Sequence, residues 1–110
     1  MPTTAHIEEI ISRTLTESIT DFEQITPASP ANRDGIIIFA PDGAIAIRMI
    51  ETGGSAPTGS YAPSASDDAT FKADLVLESG KTVTLAIQDS IDVYAAAISG
   101  TACAVVEEYR

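Results

Sequence analysis

Few side chains in this 110-residue chain are of a kind that carries chemistry, and their spacing limits what they can do. His6 is the sole histidine and Cys103 the sole cysteine, so one chain cannot assemble a His- or thiolate-based metal site or an intramolecular disulfide. Cys103 lies in "TACAVV" among small apolar residues and reads as a small buried hydrophobe. Ser60 and the other loop serines have no histidine beside them in sequence to activate a hydroxyl. Asp67-Asp68 and Glu107-Glu108 are adjacent carboxylates. Neighbours on a strand point to opposite faces, so Glu107 and Glu108 do not form a working pair by themselves. Asp67-Asp68 lacks the spaced acids of an EF-hand loop. The Gly-rich "ETGGSAPTGS" contains no Gly-Lys-Ser/Thr and no helical pattern follows it, which excludes a Walker loop and a dinucleotide fingerprint. No catalytic residue, metal or cofactor is expected.

The polar residue that stands out is Arg33, in "PANRDG" directly before Ile36, Ile37 and Ile38. A guanidinium at such a corner can bridge several carbonyls, or pair with Asp34 or with an acid on a nearby strand. Two readings follow: a bracket that fixes the entry of the first core strand, or a contact to another protein.

The elements that must position these residues are short. "TTAHIEEIISRTLTESI" places Ile7, Ile10, Ile11 and Leu15, with Ile19 completing the stripe, at helical offsets, which predicts a helix over about residues 4 to 16. A lone amphipathic helix of that length is marginal in water, so its apolar stripe must pack on its own domain or on a partner. From residue 36 the period changes to two. Ile36 to Ala40 and Ile45 to Met49 flank "APDGA", and Phe71 to Leu77 and Val83 to Ile87 flank "ESGK". "SIDVYAAAI" and "TACAVVEEY" flank Ser99-Gly100. Each pair reads as a β-hairpin. Six strands result, or seven if "FEQIT" pairs as well, and the expected fold is mainly β. It is a small antiparallel β-sandwich or barrel with an N-terminal helical segment, residues 1–24 forming the arm and 25–110 the β-domain. Residues 52–69 have no periodicity and are rich in Gly, Pro, Ser and Ala. Tyr61 within them either packs back on its own domain or anchors a neighbouring subunit.

The composition sets outer bounds. Hydrophobic residues make up 45% of the chain and aromatics 5%, with no Trp, so the core must come from Ile, Val, Leu and Ala. The formal net charge of −10 repels phosphate backbones and anionic membrane surfaces, which excludes nucleic acid and membrane as partners. A solvated acidic surface, a basic protein partner and an origin in salty water are all compatible with it. No apolar run approaches the ~18 residues of a membrane-crossing helix. Acids stand where the basic region of an export signal would lie.

The order "PANRDGIIIF", "GAIAIRM", "LVLESGKTVTL", "IDVYAAAISGTACAVVEEY" resembles small β-domains on the virions of tailed bacteriophages, over about residues 25–110. These are head-decoration, spike-base and fibre-associated proteins; Gln88-Asp89 departs from their pattern. The resemblance implies a non-enzymatic virion structural protein, assembled in the host cytoplasm, that binds the major capsid or other virion proteins. It implies self-association, commonly as a trimer. Arg33 and Gly35 match the corner of the pattern and Gly100 its last turn, in structural roles. Ile7, Ile10, Ile11, Leu15 and Tyr61 are the candidate protein contacts. The rival expectation is a carbohydrate- or receptor-binding β-module that uses the 52–69 loop.

Overall fold

The computed structural model describes residues 9–27, 32–61, 73–88 and 90–110. They form eight strands: β1 (Ile10–Ile19), β2 (Glu23–Gln24), β3 (Gly35–Phe39), β4 (Ile45–Glu51), β5 (Leu75–Leu77), β6 (Thr82–Leu85), β7 (Ile91–Ala97) and β8 (Ala102–Tyr109). Two antiparallel four-stranded sheets result, in the orders β1-β8-β3-β6 and β2-β7-β4-β5. Each position in the first order holds the sequence neighbour of the strand at the same position in the second. The molecule is therefore a row of four β-arches, β1/β2, β7/β8, β3/β4 and β5/β6, each folding one strand over its successor.

This corrects the three hairpins expected from sequence. "APDGA", "ESGK" and Ser99-Gly100 do turn the chain, but each carries it from one sheet to the other. Period-two alternation requires only that each strand have one apolar face. That face is buried equally well beside its neighbour in one sheet or against it across the layer. The turns lie side by side at one end of the sandwich. The amide of Gly80 donates to the Ala40 carbonyl and the amide of Ile98 to the Ala44 carbonyl. The Gly43 amide donates to Ser79 Oγ.

The core between the sheets is aliphatic: Ile19, Ile25, Ile36, Ile38, Ile45 and Ile47 are essentially fully buried. In the β7/β8 arch the inward residues mirror each other about the turn. Ala97 and Ala102, Ala95 and Ala104, and Val93 and Val106 are all buried. The next pair in the series is Ile91 and Glu108, and there the apolar sequence stops.

The expected helix over residues 4 to 16 is also corrected. Residues 10–19 form β1, the edge strand of the first sheet, and no helix occurs among the described residues; Ile7 lies outside them. Two breaks in register, between Ile10 and Ser12 and between Thr16 and Ile19, explain the misreading. Ser12, Thr14 and Thr16 lie opposite Glu108, Val106 and Ala104, whereas Ile19 lies opposite Ala102. The second break, with Ser18 at φ 55°, shifts the inward phase by one residue, so that a strand carries apolar residues at helix-like intervals.

Candidate functional site

At the end of the sandwich opposite the turns, Glu108 continues the inward series of β8 into the space between the sheets. Its side chain is 1% exposed and that of Arg33 0%. A carboxylate on an otherwise apolar face must be neutralised or hydrogen-bonded. Glu108 receives both. Arg33 Nη1 donates to Oε2 at 2.5 Å, and Ser12 Oγ, from β1, donates to Oε1 at 2.6 Å. Arg33 Nη2 donates to the carbonyls of Gln88, at 2.9 Å, and Ile91. Gln88 and Ile91 flank the link that carries the chain from β6 in the first sheet to β7 in the second. One guanidinium thus ties the start of β3, the far end of β8 and the crossover between the layers. Its Nε has no hydrogen-bond partner.

Ser12 beside Glu108 has the outline of a nucleophile and its base. Arg33 engages the other carboxylate oxygen, however, and Glu108 is enclosed while Ser12 is half-buried. Among the described residues no three His, Cys, Asp or Glu side chains come together to hold a metal ion. His6 and Asp67-Asp68 lie outside the described residues. Glu107 lies on the outer face of β8, away from Glu108, while Asp34 is exposed.

The two glycines singled out from sequence occupy different settings. A methyl on Gly35 would collide with the hydroxyl and ring of Tyr109 and lie 2.6 Å from the Leu85 carbonyl oxygen. Gly35 and Tyr109 are direct partners across β3 and β8. Gly100 turns the chain at φ +65° with open space around it.

The candidate contact residues are dispersed. Ile10 and Leu15 are 45% and 57% exposed, while Ile11 is half-buried. Tyr61 packs inward, against a second small cluster of Phe22, Ala46 and Ala96 on the outer face of the second sheet. The loop that carries it is tied down where the Phe22 amide donates to the Gly59 carbonyl at 2.9 Å. Cys103 is half-buried, on the outer face of β8.

Glu108 was named from sequence only as half of an adjacent acid pair, and Ser12 and Tyr109 were not singled out. For Glu108 a signal existed: it falls in phase with Ala102, Ala104 and Val106, and an acid in that phase requires a cation. Tyr109 and Ser12 gave none, because their roles depend on which strands pair.

No protein-family model matches the chain, and no curated protein matches it. Among solved structures it is similar to the crystal structure of protein NMB1881 from Neisseria meningitidis. That similarity has a TM-score of 0.43 and 14% sequence identity, covering 98% of this chain and 88% of that one.

Proposed function

We propose that this chain is a non-enzymatic structural module of a tailed-bacteriophage virion. It would act as a capsid-decorating or cement protein, or as a head spike or fibre-base module. The observation that favours a binding role over a catalytic one is the structural engagement of Glu108 by Arg33 in the interior and by the half-buried Ser12. The most reactive-looking constellation among the described residues holds the two sheets together. The virion assignment itself rests on the order of strand and turn motifs from residue 25 to 110. In this reading the sandwich is a rigid body, and β1, with Ile10 and Leu15 exposed, is the docking or oligomerising element. The partner would be the major capsid protein or another virion protein.

Density-gradient sedimentation of a lysate from the source, followed with an antibody to this chain, tests the proposal. Banding with particles at stoichiometric abundance is the expected result. A chain that stays wholly at the top of the gradient overturns it and advances the glycan- or receptor-binding reading, for which glycan-array binding is then the measurement.

A further inference from the structure

The outer faces of the two sheets differ. That of the second sheet is covered by the chain itself, where Phe22 and Tyr61 lie over Ala46 and Ala96. Among the described residues no such cluster lies over the middle of the first sheet's outer face, although Tyr109 at its end is buried. Across β1, β8 and β3 the register aligns Leu15, Val105 and Phe39 in one outward row, with Leu15 57% and Phe39 37% exposed. The adjoining row is Arg13, Glu107 and Ile37. These two rows therefore carry one cation and one anion, side by side on neighbouring strands, within a chain whose net charge is −10.

We infer that the outer face of the first sheet is a self-association surface whose occupant is a second copy of this chain. A basic partner would be drawn to the acidic remainder of the molecule, whereas two rows of balanced charge and largely apolar content suit an equally acidic twin. The charge pattern is self-complementary. A two-fold axis running along the strands between β1 and β8 sets Arg13 of one copy over Glu107 of the other, and the reverse. The same operation sets Leu15 over Val105, as an isologous interface requires. Aligned packing of two sheets is an ordinary way to bury such a strip; with this axis β1 and β8 are covered, and Phe39 and Ile37 on β3 flank the seam. The inference does not depend on the virion reading.

Sedimentation velocity of the purified full-length chain over a concentration series, at low and high salt, tests it. The expected result is a reversible monomer–dimer equilibrium that tightens as salt screens the repulsion between the two acidic copies. Leu15→Glu should weaken the dimer at least tenfold, while Val76→Ser, an exposed position on the second sheet, should leave it unchanged. Arg13→Glu or Glu107→Arg alone should weaken it, and the two together should restore it. Circular dichroism establishes that each variant is folded. A chain that is monomeric throughout, one that forms trimers, or a dimer indifferent to Leu15→Glu overturns the inference.

Discussion

Arg33 and Glu108, 75 residues apart in sequence, meet in a single 2.5 Å contact that solvent does not reach. The pair joins a loop to a central strand, and through Arg33 Nη2 it also fixes the β6–β7 crossover. Removing one partner of a buried pair leaves an uncompensated charge, at a cost of about 3–5 kcal/mol. Arg33→Ala should therefore lose a large share of the ~5–15 kcal/mol that holds a domain folded. Replacing both partners by apolar residues, as in Arg33→Met with Glu108→Leu, should recover only part of that loss. The Ile91 carbonyl would still lack its donor, at roughly 1–3 kcal/mol for a buried group, while the Gln88 carbonyl keeps the Ile91 amide. Urea denaturation of the two single variants and the double variant measures this. Single variants that cost under about 1 kcal/mol, the range of exposed pairs, would show that the clamp does not hold the fold.

Gly35 is constrained from two sides. Overpacking of a tight site costs about 1–3 kcal/mol, and Gly35→Ala should fall at or above the top of that range. Because the Leu85 carbonyl would still lie 2.6 Å from the added methyl, removing the ring should not relieve the strain. Adding Gly35→Ala to Tyr109→Leu should lower the denaturation midpoint further; no additional shift would mean that the ring alone excludes a side chain.

The bulge near the end of β1 makes a sharper demand on side-chain shape than on polarity. Ser18 holds φ 55°, where a β-branched residue is strained by roughly 1–2 kcal/mol. Ser18→Val should lower Tm by about 4–8 °C for each kcal/mol of that strain in a domain of about this size. Ser18→Gly should not lower it, since glycine enters that conformation freely. Equal losses in the two variants, read by thermal unfolding, would locate the role of Ser18 in its hydroxyl.

What could be read from sequence follows what alternation encodes. Ile36/Ile38, Ile45/Ile47 and Ala102/Ala104/Val106 announce strands with one buried face, and they are strands. "FEQIT" supplied the short β2. Alternation does not encode what a face is buried against, so arches were read as hairpins. It also fails wherever a bulge changes its phase, and β1, with Leu15 outward and Ile19 inward, was read as a helix for that reason. At the clamp, Arg33 was conspicuous because a guanidinium at the mouth of an isoleucine strand needs acceptors. The identity of those acceptors depends on β8 lying between β1 and β3, a fact about topology that no local stretch contains.

The row of arches has a kinetic consequence. Strands adjacent in sequence never share a sheet, apart from β4 and β5 across their long loop, so every other ladder joins segments that are distant along the chain. Loop closure must precede nearly all of the stabilising contacts, which places the protein among slow, high-contact-order folders. During synthesis β1 and β3 emerge long before β8, the strand that lies between them and joins both. Until residues 102–109 have left the ribosome the first sheet has no centre, and its two flanking strands have exposed edges open to other chains.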